Sequence, residues 1–124
     1  MKVVEINSLV LAYLGDAIYE EYVRKYLINK GIANVDSLQK ESVKYVSAKA
    51  QKEIIERLIS EEFLNEEEFD VFKRARNCKS NTHPKNCDIG DYKMATGLEA
   101  LIGYLDLVGN KSRVDEIMKK VLGE

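Results

Sequence analysis

The feature that most limits how this chain can fold is its near lack of helix breakers, since only Pro84 among 124 residues is proline. Proline inside a helix removes a backbone donor and clashes with the preceding turn, so segments without it can run uninterrupted. Six such segments read as helices. Asn7 or Ser8 can cap a first, running to about Asn29, where Asn29-Lys30-Gly31 supplies a stop. Asp36 or Ser37 can cap a second, with Leu38, Val43 and Val46 at roughly helical spacing. Ser47 starts a third, whose apolar stripe is Ile54, Ile55, Leu58 and Ile59. Asn65 followed by Glu66, Glu67 and Glu68 predicts a fourth to Arg76, a capping side chain with acids facing the positive helix end. Asp91 can cap a fifth to Val108, and a sixth covers about Lys111 to Leu122. No segment alternates as a strand does, so the predicted fold class is all-α. Residues 77–91 form the one long loop, and long loops in compact domains are often functional.

The length suits a single domain spanning residues 1–124, large enough to fold without a disulfide or metal. Hydrophobic residues at 45% and charged residues at 32% are an ordinary globular balance, which excludes a disordered or fibrous chain. No apolar run is long enough to cross a bilayer, and MKVVEINS has neither the apolar core nor the cleavage site of a signal peptide. A cytoplasmic protein is expected, with Cys78 and Cys87 as reduced thiols. The net charge of −2 hides a sorting of charge along the chain. Glu53, Glu56, Glu61, Glu62, Glu66, Glu67, Glu68 and Asp70 crowd one stretch, whereas residues 73–86 hold Lys73, Arg74, Arg76, Lys79 and Lys85 and no acid. Local charge is what a polyanion meets.

Two acids stand out within the apolar helices. The run from Leu9 to Tyr19 is almost wholly apolar, aromatic or small, yet holds Asp16, with Ala12, Tyr13, Tyr19 and Glu20 at helical spacing from it. From Met94 to Leu105 the only acid is Glu99, flanked by Ala95, Thr96, Ile102 and Gly103. Small residues on both helices, Ala12, Gly15 and Ala17 on one and Gly97 and Ala100 on the other, would allow close backbone approach. A first helix apolar on most of its circumference is expected to be shared between the core and a partner surface. Either acid alone could be solvated or paired with a base. Two brought together repel, and a low-dielectric carboxylate pair calls for a cation. Oxygen ligands without His or Cys favour Mg²⁺, with Mn²⁺ as a substitute, and such ions can activate water for phosphoester hydrolysis.

Residues 13–20, YLGDAIYE, resemble the signature of the ribonuclease III family, and residues 95–107, ATGLEALIGYLDL, resemble its second acidic motif. Chain length, helix order and the basic segment between the motifs are similar to the family's compact branch, Mini-ribonuclease III. The resemblance implies an all-helical, homodimeric endonuclease domain that cuts double-stranded RNA with Mg²⁺, its first helix supplying much of the dimer interface. It places Asp16 and Glu99 as catalytic residues and metal ligands. Where ordinary ribonuclease III carries two more acids, this chain has Ala12 and Thr96, departures that belong to the compact pattern. Thr96 could still orient a metal-bound water. Further implications are 5′-phosphate products with short 3′ overhangs, a substrate in the paired ends of the 23S ribosomal RNA precursor, and the possible involvement of a large-subunit ribosomal protein. The two missing acids favour one alternative, a noncatalytic RNA-binding or ribosome-associated module of the same fold.

Ordinary ribonuclease III also continues into a double-stranded-RNA-binding domain, which the resemblance gives no room for here, so RNA contact falls to the catalytic domain. Duplex RNA is recognised mainly by shape through phosphates and 2′-hydroxyls. Lys73, Arg74, Arg76, Asn77, Lys79, Ser80, Lys85 and Asn86 suit that task, with Lys44, Lys49 and Lys52 as an extension. The bland alternative is a solvated basic face. Cys78, His83, Cys87 and Asp88 are spaced C-x4-H-x3-C, without the paired short steps usual in structural zinc sites.

Overall fold

The computed structural model describes residues 2–79 and 85–124. After a short 3₁₀ turn, Val3–Glu5, come α1 (Ser8–Asn29), α2 (Val35–Val46), α3 (Ala48–Ser60), α4 (Glu66–Arg76), α5 (Ile89–Leu107) and α6 (Lys111–Val121). No strand occurs among the described residues, so the all-α class holds.

Each α-helix starts on a side chain that accepts a hydrogen bond from the first turn, from Asn7, Asn34, Ser47, Asn65, Asp88 and Asn110. This satisfies one of the donors that a helix start leaves unpaired. At α4 the bond is reciprocal: Glu68 N–H donates to Asn65 Oδ1 at 2.8 Å, and Asn65 N–H donates to Glu68 Oε1 at 3.0 Å. Two starts differ from expectation. The cap of α2 is Asn34 rather than Asp36 or Ser37, and the cap of α5 is Asp88 rather than Asp91. In both helices the expected residue, Ser37 or Asp91, is instead the one whose N–H is capped, three positions on, at 2.9 and 3.0 Å. Polar residues at the cap and at the third helical position look alike in sequence, and the earlier one takes the capping geometry.

The axis of the molecule is α5, against which α1, α3 and α4 pack. Residues 95–98 and 100–105 of α5 are all buried, as a helix surrounded by others requires. Tyr19, Ile55, Leu58, Phe72, Leu98, Leu101 and Ile117 fill the core around it with almost no exposure.

The crossing of α1 and α5 sets up everything that follows. Two glycines make it possible. A Cβ on Gly15 would lie 1.6 Å from the Glu99 carbonyl oxygen, and one on Gly103 would lie 2.1 Å from the Leu11 carbonyl oxygen. The helices therefore meet backbone to backbone, which only residues without a side chain permit. The other side of α1 is open. Tyr13 is 83% exposed, and Val10 and Ile28 are more than half exposed.

Candidate active site

Asp16 follows Gly15 directly, and Glu99 is the residue whose backbone Gly15 touches. The glycine crossing thus brings the two carboxylates, Asp16 from α1 and Glu99 from α5, into one cleft, close enough for the Asp16 charge to act on Glu99. They line a cleft of about 590 Å³ with Ala12, Tyr13, Gln51, Cys87, Tyr92 and Thr96 among its walls. Asp16 is exposed at the mouth, while Glu99 is half-buried.

The electrostatics follow from that placement. Burial pushes the Glu99 carboxyl up to about 8, and the neighbouring Asp16 carboxylate adds to the rise. Against this, the Gln51 amide favours the charged form, its Nε2 donating to Glu99 Oε2 at 3.3 Å. The Glu20 carboxylate, one turn beyond Asp16, raises Glu99 further. Two acids thus act on Glu99, and Glu20 has an exposed partner on its own helix in Arg24 at 3.5 Å.

The missing acids can be followed into the structure. Ala12 is buried against the cleft and contributes only space. Thr96 is buried and donates its hydroxyl proton to the Tyr92 carbonyl at 2.9 Å, which leaves its oxygen lone pairs as acceptors. Among the described residues no group of three or more His, Cys, Asp or Glu is gathered for a metal. Two carboxylates and a hydroxyl oxygen beside open space nevertheless fit a hard divalent ion that keeps several of its waters. Two acids in one cleft, with no base on its walls among the described residues, are the observation that supports this fit.

The basic segment divides. Lys79 is exposed at the start of the loop; Lys85 and Asn86 are exposed at its end, where Cys87, next in the chain, lies in the cleft wall, so that end reaches the rim of the acid site. Lys73 is drawn to Asp70 at 3.5 Å and lies over the Phe69 ring. Arg76 lies over the Phe72 ring and donates to Asn77 Oδ1 at 3.1 Å. Arg74 is exposed but lines a surface groove with Glu66, Glu67 and Asp70. Ser80 and His83 lie outside the described residues. Of the proposed extension, Lys52 pairs with Asp91 at 3.5 Å, Lys44 pairs with Glu41 at 3.0 Å, and Lys49 is exposed.

Gln51 is the site residue that sequence reasoning missed. A signal existed: it stands three, four and seven positions before Ile54, Ile55 and Leu58, so it occupies an apolar-stripe position with a polar side chain.

The ribonuclease III domain family matches this chain over residues 9–110, and the chain belongs to that family. Within it, the chain is similar over nearly its whole length to proteins named Mini-ribonuclease 3. The one from Clostridium tetani is 50% identical over 95% of this chain and 78% of its own length. That from Enterococcus faecalis is 45% identical over 97% and 93%. A crystal structure of a protein from Fusobacterium nucleatum superposes with a TM-score of 0.83 at 38% identity, covering 96% of this chain and 93% of its own.

Proposed function

We propose that this protein is a Mg²⁺-dependent endoribonuclease of the Mini-ribonuclease III type, which hydrolyses double-stranded RNA as a homodimer. The observation that carries the reading is the meeting of Asp16 and Glu99 in one cleft at the glycine crossing. Membership of the ribonuclease III family and the names of the relatives supply the reaction class.

In the reaction a water oxygen bonds to phosphorus, the 3′-oxygen leaves and takes up a proton, and a 5′-phosphate results. A divalent ion, when bound, supplies an activated water and charge neutralisation at phosphorus. Asp16 and Glu99 would hold that ion, and Thr96 would accept a hydrogen bond from its water shell. Lys85 and Asn86 at the cleft rim would grip phosphates and sugar edges, with Lys79 at the other end of the loop and Arg74 and Arg76 on α4 adding to the basic surface. Dimerisation is supported by the open face of α1, where Val10, Tyr13 and Ile28 are exposed. Two sites then make two staggered cuts. A substrate in the paired ends of the 23S ribosomal RNA precursor, aided or not by a ribosomal protein, follows from the family alone. So does a cytoplasmic location, alongside the finding that no helix among the described residues is long and apolar enough to cross a membrane.

The test is a gel of a perfect RNA duplex incubated with purified protein and Mg²⁺. Short 5′-phosphorylated products support the enzyme. A duplex that is bound but left intact turns the assignment to the noncatalytic module, which the presence of Ala12 and Thr96 in place of acids would then explain.

A further inference from the structure

Gln51 has no role in the reaction outlined above, yet it is a buried polar side chain of the cleft that bonds to Glu99. It is only 2% exposed and reaches inward from α3. Its Nε2 donates to Glu99 Oε2 on α5 at 3.3 Å, and its amide lies near enough to the Tyr19 hydroxyl on α1 to favour that hydroxyl's charged form. Tyr19 is fully buried and donates its own proton to the Tyr45 carbonyl on α2 at 2.6 Å. Polar groups of four helices therefore lie in one chain of neighbours.

The direction of that chain is fixed by donor counting. A tyrosine hydroxyl has one proton, and here it is committed to Tyr45. Its oxygen can then only accept, so the amide must present N–H to it. A flipped Gln51 would set its carbonyl oxygen against Glu99 in the ionised form that holds a cation, whereas its NH₂ supports that form. The Glu99 contact is at the long end for an N–H donor. What Gln51 fixes is thus mainly the direction of the carboxylate.

We propose that Gln51 is a positioning residue, locked by Tyr19, that turns the Glu99 carboxylate toward Asp16 and so sets the divalent-ion affinity of a site that has only two acids. This rests on the ribonuclease reading. Partners behind metal ligands of this kind typically change affinity by about 10–100-fold when removed. Ala12 and Thr96 supply no carboxylate to share the task.

The experiment measures Mn²⁺ binding from the electron paramagnetic resonance signal of free Mn²⁺, for wild type, Gln51→Met and Tyr19→Phe. The same proteins are assayed for Mg²⁺ dependence of duplex cleavage and, in EDTA, for duplex affinity. Gln51→Met keeps the length of the side chain and removes the donor. Its Mn²⁺ dissociation constant and half-saturating Mg²⁺ are expected to rise about 10–100-fold, with duplex affinity unchanged. Tyr19→Phe releases the lock and should move both in the same direction by a smaller factor, about 3–10-fold. A folded Gln51→Met protein with wild-type Mn²⁺ affinity overturns the proposal. If Gln51→Met fails to fold, an unchanged Mn²⁺ affinity in Tyr19→Phe overturns it instead. Wild-type protein that binds Mn²⁺ but leaves the duplex intact refutes the ribonuclease reading, and the Mn²⁺ arm then decides the role of Gln51 separately.

Discussion

Glu68 and Glu99 are both drawn out of water, and the protein treats them in opposite ways. Glu68 is 2% exposed. Arg113 grips both of its oxygens, Nε to Oε2 at 2.7 Å and Nη2 to Oε1 at 2.8 Å, and donates also to the Phe63 carbonyl. Burial pushes the Glu68 carboxyl up, but the guanidinium and the Asn65 N–H outweigh it and hold the group below the usual carboxylate range. Glu99 has a carboxylate for a neighbour and one neutral amide for support, and its carboxyl sits far above that range. A buried acid with its cation inside the chain is finished structure. One that faces another acid, with no base beside it among the described residues, calls for a cation from outside.

The contrast can be broken at four points. Arg113→Met leaves Glu68 buried and unpaired, and should lower stability by about 3–5 kcal/mol, read by chemical denaturation. Cleavage measured well below the shifted melting temperature should persist, because Arg113 is remote from the cleft. Glu99→Gln and Asp16→Asn should do the reverse. Each should cut the cleavage rate by about 10²–10³-fold or more while leaving the melting temperature at or above wild type. Near-normal cleavage by either would remove it from the site.

A smaller effect follows from protons. Folded Glu99 keeps its proton up to about pH 8, whereas the unfolded carboxyl releases it near 4.5, so the folded state binds the extra proton between those values. Metal-free wild type should therefore lose stability relative to Glu99→Gln as pH rises through that window. Metal ligation must displace the same proton, so apparent Mg²⁺ affinity should climb with pH by up to about tenfold per unit and level off above pH 8. A flat pH profile of Mn²⁺ binding would contradict this. The smallest expected change is at the basic segment. Reversing Arg74 and Lys79 together should weaken duplex binding across all sequences and reduce the salt slope by about one for each phosphate left without a cation. An unaltered slope would make the segment a solvated face.

Much of this was legible in the residues themselves. Asn65 followed by three glutamates marked a helix start that folds as a reciprocal cap, because capping depends on neighbours three positions apart. Asp16 and Glu99 stood out because each is a lone acid on a helix otherwise built for burial. The caps of α2 and α5 were misplaced by local ambiguity alone. Glu68 read only as one of three first-turn acids, since its partner Arg113 is 45 residues away.

Helices, most of their caps and the two acids can be read along the chain, because hydrogen bonding along a helix and apolar periodicity are short-range properties. That Gly15 lies on Glu99 and Gly103 on Leu11 comes from long-range packing. Small residues permit a close crossing without choosing its register. Packing of the whole core chooses it, and that choice joins Asp16 to Glu99 and buries Gln51 behind them.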